Sequence, residues 1–196
     1  MGTDSRIGKR FLFPGLGYGG SCFPKDVKAL NKSGKDINYD FKILEAVVDV
    51  NEKQKTILYP EISSFFDGDI KGKTIAIWGL AFKPETDDIR EAPALYMIDK
   101  LLEAGAKVKA FDPEAMENVE QKYGDKISFG KDMYEVTEDA DALLICTEWS
   151  IFRTPDYKRL KYNLKQPVIF DGRNLYPTVE LAKEGIHYIS IGRQHV

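Results

Sequence analysis

Hydrophobic residues follow two different patterns along the chain, and the pattern changes near residue 70. Before that point, apolar side chains over residues 40–65 recur at spacings compatible with one face of a long helix. Pro60 falls inside this pattern, where a proline kinks or splits a helix. A shorter helical pattern covers residues 24–32 and ends at Gly34. The sequence therefore predicts a first part, residues 1–70, that belongs to a helical domain.

Short apolar runs alternate with helical patterns in the second part, residues 71–196. The runs predict strands at residues 74–78, 108–111, 127–129, 142–146, 168–170 and 188–191. Helices are expected between them, at residues 93–104, 156–164 and 178–183 and on both sides of the weak third strand. This alternation predicts a parallel sheet covered on both faces. The predicted fold class is α/β: a Rossmann-like sheet preceded by the small helical segment.

Polar segments follow several of the predicted strands. In a parallel sheet, ligands bind at the carboxyl ends of the strands, near the point where the strand order reverses. The segments expected at that edge are residues 79–83, 112–113, 147–149 and 171–174. The turn after the first strand has one glycine, Gly79, followed by charged residues as far as Arg90. It is compatible either with a loop that binds phosphate through side chains and backbone amides or with a solvated charged loop.

Residues 11–26 contain an apolar run, four glycines within six positions, a cysteine and a proline. Pro24 suits the first turn of a helix, with Ser21 as its predicted N-cap. Cys22 would then lie at a helix N-terminus, where the partial positive charge favours a thiolate. Asp26 follows one helical turn later and is expected on the same face. A nucleophile and a carboxylate beside a flexible backbone indicate a catalytic site.

The glycine spacing over residues 15–20 also matches the letters of a dinucleotide fingerprint. That fingerprint requires a preceding strand and a surrounding βαβ unit, and the sequence predicts neither here. A dinucleotide site at these glycines is therefore the less favoured interpretation.

Composition narrows the classes of function. The formal charge of −3 and the pI of about 5.5 disfavour bulk nucleic-acid binding. The longest apolar stretch, residues 75–82, is too short to span a bilayer, and no leader sequence is recognisable. Cys22 and Cys146 lie in such different sequence contexts that no disulfide framework is expected. A reducing compartment, the cytoplasm, therefore fits better. His187 and His195 have no cysteine partners nearby in sequence, so no metal site is predicted.

Four motifs in order resemble the UDP-glucose 6-dehydrogenases of the UDP-glucose/GDP-mannose dehydrogenase family. They lie at residues 11–26, 79–93, 147–153 and 170–174. The resemblance implies a two-step, NAD-dependent oxidation of UDP-glucose to UDP-glucuronate. It also implies a UDP-sugar substrate, NAD as the cofactor and a homodimer or higher homo-oligomer.

The same resemblance assigns roles to individual residues. Cys22 corresponds to the nucleophile that forms a thiohemiacetal and then a thioester, and Asp26 to the carboxylate that assists proton transfer. Lys25 and Arg90 correspond to cofactor contacts. Arg6 corresponds to an arginine that reaches the sugar nucleotide across a dimer interface. The other implied substrate-binding residues are Phe13, Pro14, Gly15, Leu16, Gly17, Tyr18, Gly19, Phe23, Phe82, Lys83 and Arg173.

Members of this family begin with an NAD-binding domain, and nothing in these 196 residues matches that domain. The resemblance therefore implies that NAD is held mainly by residues outside this sequence, and we expect the chain alone to be inactive. Two alternatives stay open. The substrate could be another nucleotide sugar, such as UDP-N-acetylmannosamine or GDP-mannose, or the chain could be a non-catalytic UDP-sugar-binding or dimerisation module.

Overall fold

The computed structural model describes the backbone of residues 1–196 and every side chain except those of Arg10 and Phe11. The side chain of Phe11, at the start of the glycine-rich stretch, therefore lies outside the described residues. The helices are α1 Phe23–Asp36, α2 Lys42–Gln54, α3 Tyr59–Phe65, α4 Pro93–Glu103, α5 Met116–Tyr123, α6 Tyr157–Asn163 and α7 Thr178–Glu184. The strands are β1 Thr74–Trp78, β2 Lys107–Phe111, β3 Ser128–Phe129, β4 Ala142–Ile145, β5 Val168–Asp171 and β6 His187–Ser190. Short 3-10 turns lie at Lys9–Leu12, Gly124–Lys126, Glu135–Thr137 and Ser150–Phe152.

The strands form one parallel sheet in the order β3-β2-β1-β4-β5-β6. β1 lies at the centre, with Ile75 opposite Val108 of β2 and Ala142 of β4. The chain moves outward in one direction through β2 and β3 and then returns to the other side of β1, so the strand order reverses between β1 and β4. The predicted α/β Rossmann-like fold is confirmed.

Each face of the sheet is covered by a hydrophobic core. Ile75 and Ile77 of β1 belong to the cluster that contains α4 and the buried side of α3. Ala76 and Trp78, which alternate with them, belong to the cluster on the other face, where the Trp78 ring stacks on Phe152 with centroids 5.0 Å apart. Because α3 contributes to the first cluster, the helical segment packs directly on the sheet.

One prediction about the helical segment was wrong in detail, and of the two alternatives for Pro60 the split helix was confirmed. The first helix does not end at Gly34 but continues to Asp36, and Gly34 leaves room for the Phe41 ring to pack closely against the helix backbone. The predicted long helix is two helices, since the chain turns after Gln54 and Pro60 lies in the first turn of α3. The proline starts a new helix and does not kink a continuous one.

The structure also corrects two smaller predictions. Cys22, not Ser21, is the N-cap residue of α1, and no side chain caps this helix end. The helix expected after the weak third strand is only the 3-10 turn Glu135–Thr137, which follows β3 after a loop. Among the described residues, no helix combines the length and apolar character needed to cross a membrane.

Candidate active site at the carboxyl ends of the strands

The glycine-rich loop, residues 13–20, lies over the carboxyl ends of β4 and β5. Leu16 is 1% exposed and packs against Gly172, directly after β5. A Cβ atom on Gly172 would come within 2.6 Å of Leu16 Cγ and 2.8 Å of the Ile145 carbonyl oxygen. The loop therefore occupies part of the sheet edge at which the fold binds ligands.

Helix α2 holds the middle of this loop through two amide side chains. Asn51 accepts a hydrogen bond from the Tyr18 N–H at 2.7 Å and donates one to the Tyr18 carbonyl oxygen at 3.1 Å. Gln54 donates to the carbonyl oxygen of Gly15 at 2.7 Å. Gly17 lies against Asn51 with φ of 92°, a conformation that favours glycine. The loop conformation is thus supported by contacts within this chain.

The end of the loop is attached to the segment that follows β1. The N–H of Gly20 donates to the carbonyl oxygen of Arg90 at 2.8 Å. The Phe82 ring lies so close to Gly20 that a Cβ there would be 2.8 Å from Phe82 Cε2. Gly19 faces both Phe82 and the backbone of Glu91. The structure therefore brings the predicted substrate loop and the predicted Phe82 site together.

Cys22 is exposed at the amino terminus of α1, as predicted. Its Sγ lies 3.6 Å from the Ser21 hydroxyl oxygen, and Pro24 occupies the first turn. Asp26 follows one turn later, where its carboxylate pairs with Lys25 at 3.2 Å and its N–H donates to the Cys22 carbonyl oxygen at 2.9 Å. The sulfur is accessible to a ligand, with the Ser21 hydroxyl group beside it.

A cationic hollow of about 380 Å³ adjoins the start of α1. Its charged lining residues are Lys25, Lys28, Arg90 and Glu91. Asp88 forms a bidentate pair with Arg90, at 2.9 and 2.8 Å, and these bonds raise the pKa of the guanidinium. Each cation is paired with a carboxylate, Lys25 with Asp26, Lys28 with Glu91 and Arg90 with Asp88, so a phosphate group bound here would compete with those carboxylates.

Arg173 lies at the opposite end of the loop. Its Nη2 donates to Glu148 Oε1 at 2.7 Å, and its Nε lies 2.7 Å from Glu148 Oε2. Asp171, at the end of β5, accepts a hydrogen bond from the Arg173 N–H at 2.7 Å. The guanidinium also covers Gly15, where a Cβ atom would collide with Nη1. Phe13 and Arg153 line the small cavity beside this pair.

Backbone N–H groups in the turn after β1 donate hydrogen bonds within the chain. The buried carboxylate of Asp112 accepts from the N–H groups of Leu80 and Ala81, at 2.6 and 3.2 Å, and from Trp149 Nε1 at 3.0 Å. Gly79 is packed against Thr147. Two amides that would face a dinucleotide in a Rossmann turn are thus already bonded, and the acidic side chain that would face its ribose is buried.

The four other predicted site residues differ in how far they are exposed. Arg6 is exposed and forms a bidentate pair with Asp4, at 3.0 and 2.8 Å. Lys83 is exposed, with Nζ 5.3 Å from the centroid of the Phe82 ring. Phe23 packs edge-on against Tyr18 with centroids 4.6 Å apart and remains half exposed. Pro14 is partly buried in the loop.

Sequence reasoning missed the residues that hold the site. Asn51 and Gln54 are polar, three positions apart, within an apolar helical pattern, and that placement was an available signal. Glu148 belongs to a motif that was recognised, but its pairing with Arg173 depends on the neighbouring ends of β4 and β5. Among the side chains described, no group of three or more His, Cys, Asp or Glu residues could hold a metal ion.

Comparison with known families agrees with this geometry. The UDP-binding domain of the UDP-glucose/GDP-mannose dehydrogenase family matches residues 76–178, and the central domain of that family matches residues 1–53. The first match includes five of the six strands, from within β1 to β5, and the segments at the ligand-binding edge, and the second includes the glycine-rich loop and Cys22. The resemblance drawn from the four motifs is confirmed.

Individual relatives match almost the whole chain. UDP-glucose 6-dehydrogenase of Pseudomonas aeruginosa is 44% identical over 98% of this chain and 44% of its own length. UDP-glucose 6-dehydrogenase TuaD of Bacillus subtilis is 46% identical over 100% of this chain and 42% of its own. A solved UDP-glucose dehydrogenase from Pyrobaculum islandicum superposes with a TM-score of 0.82 at 35% identity, covering 96% of this chain and 41% of that one. The chain thus spans less than half the length of these relatives.

Proposed function

Because the chain belongs to the UDP-glucose/GDP-mannose dehydrogenase family, we propose that it supplies the nucleophile and the UDP-sugar site for oxidation of UDP-glucose to UDP-glucuronate. The observation that carries this proposal is the course of one loop. It begins beside Arg173, crosses the carboxyl ends of the strands and leads to Cys22, the N-cap residue of α1. A ligand bound along this loop would lie near the Arg173 guanidinium at one end and near the Cys22 thiol at the other.

Arg173 would bind the uridine diphosphate. Its planar guanidinium is held by Glu148 and retains Nη1 for an oxygen of the ligand. Phe82 would provide an apolar contact and Lys83 a second positive charge, since Lys83 Nζ lies near that ring. The loop from Phe13 to Gly19 would enclose the sugar nucleotide, and Arg6 would contribute only from a second copy of the chain.

Cys22 would carry the covalent chemistry. Its thiolate would add to the aldehyde carbon of the half-oxidised sugar, giving a thiohemiacetal whose oxidation leaves a thioester. Water would cleave the thioester, releasing the acid and restoring the thiol. Asp26, one turn along α1, would assist the proton transfers and position that water. The exposed position of Cys22 supports this role, because a reacting thiol must be accessible.

The hydride acceptor implied by the family is NAD, which takes up two electrons in each of the two oxidations. Lys25 and Arg90 line the cationic hollow beside α1 and are the residues that would hold its phosphates, in place of their pairs with Asp26 and Asp88. The turn after β1 does not fit the rest of a dinucleotide, because Asp112 occupies its amides. We therefore propose that the chain alone does not reduce NAD. The homo-oligomer and the cytoplasmic location remain predictions.

The 6-aldehyde of UDP-glucose provides a test, because it forms the covalent adduct without any cofactor. We expect this aldehyde to protect Cys22 from iodoacetamide, measured by mass spectrometry, much more strongly than UDP-glucose does. UDP-glucose is the matched control, since it fills the same site and has no aldehyde. Equal protection by both compounds would favour a non-catalytic UDP-sugar-binding module. Protection by neither would contradict the proposal.

A further inference from the structure

Glu91 joins three helical regions of the chain through one carboxylate. It accepts hydrogen bonds from Lys28 Nζ at 3.0 Å, Lys55 Nζ at 2.8 Å and the Tyr96 hydroxyl at 2.5 Å. Lys28 belongs to α1, Lys55 follows α2, and Tyr96 belongs to α4. The helix that begins beside Cys22 is thereby tied to a helix that packs on the sheet.

Lys55 makes this connection hard to replace. The side chain is 1% exposed, and its Nζ lies 4.0 Å from the centroid of the Tyr96 ring. Burial lowers the pKa of Lys55, but hydrogen bonds with Glu91, Tyr96 and Glu52 outweigh burial and raise it. A buried ammonium that loses one carboxylate is left poorly compensated, so the structure around it depends on Glu91.

The backbone of Glu91 also lies against the glycine-rich loop. Its φ of 53° is in the left-handed region, which is unusual for a residue with a Cβ atom. In this conformation the Glu91 carbonyl group faces Gly19, and the preceding carbonyl, that of Arg90, accepts the Gly20 N–H at 2.8 Å. The three side-chain hydrogen bonds compensate for this backbone conformation.

We propose that Glu91 is a positioning residue that fixes Cys22 and Arg90 relative to each other. Its side chain holds α1 through Lys28. Its backbone conformation orients the two carbonyl groups that face Gly19 and Gly20. The inference rests on the proposed function, in which Cys22 is the nucleophile and Arg90 a cofactor contact. The substrate would then meet a thiol whose place is set by a residue that does not contact the substrate.

Hydrogen exchange of single amides in the full chain tests this role. In Glu91→Gln, which keeps the size of the side chain, we expect the Gly20 amide to exchange about tenfold faster, with the Ile77 amide in central strand β1 unchanged. Glu103→Gln is the matched control, because Glu103 forms an exposed pair with Lys100 at 2.8 Å. A loss of global stability alone would accelerate Gly20 and Ile77 together.

Alkylation of Cys22 provides the second readout. Removing a negative charge from the cationic hollow and loosening α1 should raise the iodoacetamide rate at neutral pH about threefold in Glu91→Gln. Lys28→Met should loosen α1 through the same contact, and Lys100→Met is its control on an exposed pair.

The proposal is overturned if Gly20 exchange in Glu91→Gln matches that in Glu103→Gln, or if it rises only in proportion to Ile77. It is also overturned if exchange rises while the Cys22 rate stays unchanged, because the position of the thiol would then not depend on Glu91. Neither measurement involves a nucleotide. A failure here is therefore distinguishable from a failure of the proposed UDP-sugar site.

Discussion

The N–H of Gly20 donates a hydrogen bond to the carbonyl oxygen of Arg90, with N and O 2.8 Å apart. Gly20 ends the glycine-rich loop, and Arg90 lies in the segment after β1. This bond attaches Gly20, two residues before Cys22, to the segment that follows β1. The glycine-rich loop is thereby fixed to the edge of the sheet. The predictions below follow from the contacts at the two ends of this loop.

Gly15→Ala should weaken UDP binding about tenfold, because the added methyl group collides with Arg173 Nη1 and displaces the guanidinium from Glu148. Calorimetry with UDP measures the change. Gly2→Ala is the control, since the atoms nearest to its Cβ would be 3.3 Å away. Unchanged affinity in Gly15→Ala would show that the Arg173 position is not required.

In the folded protein, iodoacetamide should label Cys22 and leave Cys146 unmodified. Cys22 is exposed, whereas Cys146 is buried after β4, and burial raises the pKa of its thiol. Mass spectrometry of the digested protein distinguishes the two sites. Both cysteines should be labelled after unfolding in denaturant, and comparable labelling of both in the native protein would contradict this arrangement.

Asp112→Asn should lower the free energy of unfolding by about 3 kcal/mol, because an amide group would face donors that now bond to a carboxylate. Oδ2 accepts from the Leu80 N–H at 2.6 Å and Trp149 Nε1 at 3.0 Å, and Oδ1 accepts from the Ala115 N–H at 2.9 Å. Urea unfolding measures the loss. Asp125→Asn, an exposed control, should change stability by less than about 0.5 kcal/mol. Equal effects of the two variants would refute this account of the turn.

Glu91 should make stability depend on pH in the acid range. Hydrogen bonds from Lys55 and Tyr96 lower its pKa from 4.5 to about 2. Its contribution is complete above the unfolded pKa and is lost as the pH falls through the folded pKa. Glu91→Gln should lower the free energy of local opening at the Gly20 amide by about 1.4 kcal/mol near neutral pH, which corresponds to the tenfold faster exchange given above, and this difference should shrink between about pH 4.5 and pH 2. Hydrogen exchange of the Gly20 amide across this range measures it; a difference that does not vary with pH would contradict the ionic role.

The sequence was sufficient for the sheet and for the position of Cys22. β1, β4 and β5 are apolar runs of the right length, and alternation with helices allows only a few arrangements. Pro24 correctly indicated a helix start beside Cys22. Local rules were less informative about boundaries, since Gly34 serves the packing of Phe41 and does not end the helix.

The side-chain contacts of the site could not be predicted from local patterns. Glu148 and Arg173 meet because β4 and β5 are neighbours, and Glu91 reaches Lys55 only after the chain that follows α2 has come beside the segment before α4. These pairs depend on tertiary geometry that no spacing along the sequence encodes. The motifs indicated where ligands would bind, and the structure shows which neighbours hold those residues.

The central claim is that a uridine-diphosphate site lies beside the glycine-rich loop. A calorimetric titration with UDP and GDP tests this claim most directly. We predict a UDP dissociation constant of about 10 µM to 1 mM, at least about tenfold weaker binding in Arg173→Gln, and no measurable heat with GDP. Tight binding of GDP with no heat from UDP would contradict the claim, as would unchanged UDP binding in Arg173→Gln.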